Sequence, residues 1–140
     1  SVFALILIIL GLYLPLKAKS YSHKIRKKLK DIEKSMTQGS LEILKNAYRE
    51  VYAHYMKLSE KEKQNFYHLV DGLRGKIEGM LKAAKKIEDL LLQAGQGSIK
   101  EQHKRYQEMN NHYEVLPKKD QEKYYHHLVH VKEKLEGSKR

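Results

Sequence analysis

The chain has 140 residues, 28 of them Lys or Arg and 17 Asp or Glu, for a formal net charge of +11. It contains no cysteine, which excludes a disulfide framework, a thiolate nucleophile and a thiolate metal site. Two prolines, eight glycines and few β-branched residues argue for helix, and the length suits one domain with a modest core.

The chain opens on SVFALILIILGLYLPL, with no charged side chain before Lys17. As a helix, Val2–Leu16 would span roughly 22 Å at about 1.5 Å per residue, short against a bilayer core of roughly 30 Å. The ring of Pro15 clashes with the carbonyl four residues back, so a kink is expected between Gly11 and Pro15. Tyr13 stands where an interfacial aromatic would stand. Val2, Phe3, Leu5, Ile6, Leu7, Ile9, Leu10, Leu12 and Leu14 have no core of their own to enter. Lipid, or the same segment of other copies, must cover them. Ser1 reads as a processed N-terminus. The segment lacks the basic lead and small-residue cleavage site of a secretory signal, so it reads as a retained element.

A basic band follows. Lys17, Lys19, Lys24, Arg26, Lys27, Lys28, Lys30 and Lys34 stand against Asp31 and Glu33, a net of +6 within residues 17–34. Such a band after an apolar helix suits anionic lipid headgroups, and the same charge would suit nucleic acid. The plainer reading is a solvated face. Ile25, Leu29, Ile32 and Met36 keep helical spacing through it, so residues 1–37 are expected to form one stalk helix, apolar at its start and amphipathic at its end.

The apolar start at Ser1-Val2-Phe3, the Gly11/Pro15 kink and the amphipathic continuation resemble type IV pilin-like subunits over roughly residues 1–30. The resemblance implies a chain cut by a prepilin peptidase just before its apolar helix, with such helices bundled in the axis of a filament. Position 5 is Leu rather than the glutamate of many bacterial pilins, which is similar to the archaeal branch. The body departs from that pattern: pilin heads are usually β-rich, and this one reads as helix throughout.

The body matches itself without gaps at a shift of 58 residues. Gln38-Gly39-Ser40 aligns with Gln96-Gly97-Ser98, His54-Tyr55 with His112-Tyr113, and Tyr67-His68 with Tyr125-His126. Apolar pairs follow, among them Val51/Met109, Phe66/Tyr124, Val70/Leu128 and Ile77/Leu135. Leu29 and Ile32 stand 58 residues before Ile87 and Leu90. Two copies fall short of a solenoid, so one compact bundle is expected.

Each copy reads as helix, tight turn, helix. Ser40, Ser59 and Ser98 are placed as N-caps, with Glu62 in capping-box position after Ser59. Pro117 replaces Ser59 in the second copy, with Asp120 in the place of Glu62. In the second helix of copy one, Tyr67, Val70, Leu73, Ile77, Met80 or Leu81, Ala84, Ile87 and Leu91 form the apolar face. Gly72, Gly75 and Gly79 weaken that helix and leave room for a close helix approach or a bend. The expected fold is all-α: the stalk over 1–37, one hairpin over 38–95 and its copy over 96–140. The helices are expected near 1–37, 40–58, 60–94, 98–116 and 118–136.

Histidine is the one candidate for chemistry. His126 and His130 are four apart on one helical face and Glu122 precedes His126 by four, a spacing open to a divalent metal. No His-Glu-x-x-His motif is present, and the plain reading is surface histidines beside Tyr124 and Tyr125. Tyrosines at helical core spacing read as core packing with hydroxyls at the rim; Tyr52, Tyr106 and Tyr124 are expected outside. No nucleotide loop, nucleophile arrangement or paired-carboxylate motif appears, and neither enzymatic activity nor a cofactor is expected.

The leading expectation is a structural subunit of an extracellular, type IV pilus-like filament on the cell surface. Its partners would be copies of itself, with the membrane holding the subunit before assembly. The alternative is a single-pass membrane-anchored helical module. Lys17–Lys34 would then place the body in the cytoplasm, contacting anionic lipid or, less favoured, nucleic acid.

Overall fold

A computed structural model describes residues 21–138. They form five helices and, among the described residues, no strand. These are α1 (21–38), α2 (Leu41–Met56), α3 (Glu60–Leu92), α4 (Ile99–Glu114) and α5 (Lys118–Gly137). The apolar part of the expected stalk lies outside the described residues. So do the assembly positions 2–14, the Gly11/Pro15 kink, Lys17 and Lys19.

Serine starts three of the helices, for the reason its spacing implied. An N-terminal turn leaves backbone N–H groups without intrahelical partners, and the hydroxyls accept from the third residue on. Ser40 Oγ accepts from Ile43 N at 3.3 Å and Ser59 Oγ from Glu62 N at 3.3 Å. At Ser98 the box closes in both directions: Ser98 Oγ accepts from Glu101 N at 3.2 Å, and Ser98 N donates to Glu101 Oε2 at 2.8 Å. The reciprocal arm is thus at Glu101 rather than at Glu62. Gly97, just before this cap, has φ +81, in the left-handed region that favours glycine.

The core is strung along α3. At one end, Ile25 and Ile32 of α1 are fully buried against Leu44 and Val51 of α2 and Phe66, Val70, Leu73 and Ile77 of α3. At the other, Leu90 of α3 packs with Met109 of α4 and Leu128, Val131 and Leu135 of α5. A third cluster, including Leu41, Ala83, Ile87, Leu116 and Tyr124, joins them. The arrangement is therefore two three-helix units sharing α3, rather than the single compact bundle expected. A helix of 33 residues extends roughly 50 Å at about 1.5 Å per residue, too long for one short hairpin to cover.

The 58-residue shift superimposes burial as well as letters. Val51 and Met109, Leu58 and Leu116, Phe66 and Tyr124, Val70 and Leu128, and Ile77 and Leu135 are buried pair by pair. The C-terminal half of α3 thus serves α4 and α5 as α1 serves α2 and α3. This double service turns the buried stripe. Phe66, Val70, Leu73 and Ile77 continue as Ala83, Ile87 and Leu90, with Ala84 and Leu91 only half-buried. The stripe steps back by one residue, roughly 100° about the axis at 3.6 residues per turn.

Three other expectations are corrected. Tyr67 is 52% exposed, because Phe66 occupies the inward position. Tyr124 is 4% exposed rather than outside: it fills the slot that Phe66 fills in the first unit, and its hydroxyl donates to Glu88 Oε1 at 2.6 Å. Gly72, Gly75 and Gly79 meet no neighbouring helix among the described residues, since a Cβ at any of them would have nothing of these within 4 Å.

The junction is polar as well as apolar. Leu41 N donates to Asp120 Oδ2 at 2.8 Å, and Lys119 N to Gly39 O at 3.2 Å. The turn between α1 and α2 therefore sits on the start of α5.

Candidate functional site

The basic residues of α1 do not form one uniform face. Lys28 pairs with Glu50 on α2; the hydrogen bond between them raises the lysine pKa and lowers that of the carboxyl. Lys24 lies over the Tyr21 ring at 5.6 Å, and Arg26 over the Phe66 ring at 5.6 Å. Arg26, Lys27 and Lys30 together line the side of the helix next to α3.

Tyr21 marks the pole of the body that the preceding apolar sequence joins. Its ring centroid is 5.9 Å from that of His54, near the end of α2, and Lys57 Nζ is 5.3 Å from the same ring. His54 is half-buried there. Burial first, then the charges of Lys24 and Lys57, lower its pKa.

Between α1 and α3 the surface opens into a groove of about 670 Å³. Leu29, Ile32, Met36 and Leu73 form its floor, and Leu69, 55% exposed, stands at its edge. Arg26, Lys27 and Lys30 line the α1 wall and Lys76 the α3 wall, with His23 and His68 beside them and Glu33 the one carboxylate in the lining. From His23 to Met36 the wall runs roughly 20 Å at about 1.5 Å per residue.

The second unit has a counterpart between α3 and α5, lined by Leu91, Ala94, His127, His130, Val131 and Lys134 among others, of about 290 Å³. The two grooves are related by the repeat. Leu69 becomes His127 and Gly72 becomes His130. On the wall, Arg26 becomes Ala84 and Lys30 becomes Glu88. Floor positions stay apolar, as Leu29/Ile87, Ile32/Leu90 and Leu73/Val131. Of these floor equivalents only Val131 lines the second groove; at the edge, the first groove has no side chain at Gly72 where the second has His130.

The groove itself was not anticipated. Its signal was present in the repeat, at the positions where the copies do not match: 69 against 127 and 72 against 130.

The histidines expected as weak metal candidates do not gather. Glu122 and His126 border a shallow depression with Tyr113, while His130 faces the second groove beside His127. Among the described residues no three or more His, Cys, Asp or Glu side chains are close enough to hold an ion. His126 packs edge-on against Tyr125 at 5.5 Å, as His68 does against Tyr67 at 5.5 Å.

No helix among the described residues is long and apolar enough to cross a membrane. Comparison with protein-family models, with curated proteins and with solved structures gives no match.

Proposed function

We propose that the chain is a membrane-anchored helical docking module. Residues 1–16 hold it in a bilayer, and the two-unit body presents a basic, grooved surface to an anionic partner in the cytoplasm. The observation that carries this reading is the open, cation-rimmed groove between α1 and α3. A body that served only to coat a filament would bring together copies of a chain of formal charge +11 against their mutual repulsion. An anionic partner relieves that charge instead. The basic band after the apolar segment fits a cytoplasmic body by the positive-inside rule.

The filament reading rests on the resemblance of residues 1–30 and is the competing outcome of one experiment. The full chain is expressed, membranes are washed with alkaline carbonate, and intact cells are treated with protease. The docking reading expects the chain to stay with the membrane, the body to be protected from protease, and deletion of residues 1–16 to release it. Fibres of the native chain in negative stain, lost on Leu7→Lys, would establish the filament instead.

A further inference from the structure

We propose that the groove between α1 and α3 is a docking site for an acidic amphipathic helix of a partner protein. This deepens the docking reading above and rests on it. The argument begins with the repeat. Both units open a groove between equivalent helices, with Leu73 and Val131 at equivalent places in them, and one groove is about 670 Å³ and the other about 290 Å³. At the groove edge the second unit carries His127 and His130, both exposed; the first carries Leu69, also exposed, and no side chain at Gly72. Among the described residues a Cβ at Gly72 would meet nothing within 4 Å, and none of them requires glycine there. In an exposed helix interior glycine is less favourable than alanine. At Gly72 the groove is thus open where the same fold, one unit away, carries the His130 side chain.

Charge and shape then select the occupant. Arg26, Lys27 and Lys30 stand on one wall and Lys76 on the other, with apolar side chains between them. A helix with an apolar stripe at i, i+3, i+4 and i+7 and carboxylates on both flanks matches that cross-section. The length of roughly 20 Å accepts about four turns. An acyl chain fits less well, because small-ligand sites generally enclose about 70–90% of the ligand and this groove is open along one side. A second copy fits less well too, since every copy brings the same positive charge.

The test uses the full chain in zwitterionic nanodiscs. The probe is a fluorescent helical peptide of about four turns with a leucine stripe flanked by glutamates, read by anisotropy. A peptide of the same composition with the stripe scrambled is the control. Saturable one-to-one binding is expected, at least tenfold tighter than for the scrambled peptide. The paired change Leu69→His with Gly72→His gives the first groove the side chains of the second and is expected to weaken binding about tenfold. Lys27→Glu with Lys30→Glu should weaken it at least as much, while Gly75→Ala, outside the groove, should leave it unchanged.

Equal binding of the scrambled peptide, or binding untouched by the paired histidine change, overturns the proposal. So does competition by phosphatidylglycerol vesicles whose own binding is lost in the histidine variant, which would make the groove a lipid site. So does a dimer of the wild-type chain that the histidine variant abolishes. Because the nanodisc supplies the membrane, these results are independent of where the chain resides in the cell. Carbonate extraction and protease protection fail or succeed separately.

Discussion

The first backbone N–H of α2, at Leu41, donates to the carboxylate of Asp120 at 2.8 Å, across 79 positions of sequence. Asp120 stands in the first turn of α5, so one carboxylate serves the N-terminal ends of two helices, where negative charge is favoured. Asp120→Ala should therefore cost about 1–2 kcal/mol. That is a fall in melting temperature of about 3–6 °C for a chain of this size. Circular dichroism of the melt checks it. Asp120→Asn, which can still accept, should recover part of the loss; an unchanged melt for Asp120→Ala would refute the junction role.

Tyr124 fills the position that Phe66 fills one repeat earlier, and its hydroxyl reaches Glu88. Burial and that carboxylate raise its pKa, which keeps the hydroxyl protonated as a donor. Glu88 is exposed and returns to water when the bond is lost. Tyr124→Phe should accordingly cost less than about 1 kcal/mol, whereas Tyr124→Ala should cost about 3–5 kcal/mol. Urea titration of the two variants distinguishes a packing role from a polar one.

His54 gives the body a pH dependence near neutrality. Its folded pKa lies below the ordinary value of 6.5, from burial and from Lys24 and Lys57. The unfolded chain therefore binds the proton more readily. Stability at this site is complete above about pH 6.5 and is lost as the pH falls through the lower folded pKa. Glu50 and Glu101 also have lowered values, from Lys28 and from the Ser98 backbone respectively, but their contribution begins to fall only near 4.5. Denaturant midpoints at pH 7.5 and 5.5 should differ in the wild type, and less so in His54→Gln.

Gly75 and Gly79 lie in the exposed interior of α3, and a Cβ at either touches nothing within 4 Å. Gly75→Ala and Gly79→Ala should each stabilise the body by about 0.5–1 kcal/mol. A rise in urea midpoint with an unchanged slope checks this. A loss of stability would mean that the glycines serve a bend or a contact.

Helix order, the three serine caps and the duplicated core could all be read from residues. Each depends on local spacing, three or four for a helical face and 58 for the copy. Four features could not. The stripe on α3 was expected to run on through Ala84 and Leu91 because a regular pattern was extrapolated, but a helix shared by two units must turn its stripe when its partners change. Asp120 was expected to stand in for Glu62 near its own helix start, and nothing local marks a bond across 79 positions. The hydroxyl of Tyr124 favours an outside position, whereas the slot it shares by repeat with Phe66 is buried. The groove is not marked by the repeat's matched positions, because its edge lies at unmatched ones, 69 and 72.

The one-residue step in the buried stripe of α3 has a mechanical corollary. Between Ile77 and Ala83 the two halves are joined by uninterrupted helix, with no hinge to adjust their bearing. The heading of one half relative to the other is then a matter of residue count. Adding a single residue there would swing the distal half by roughly 100° and carry it about 1.5 Å farther out. Adding seven would bring it nearly back to its original heading, about 10 Å away. Whatever the proximal half grips is thereby held at a set angle to whatever the distal half displays, like two fittings keyed to one shaft.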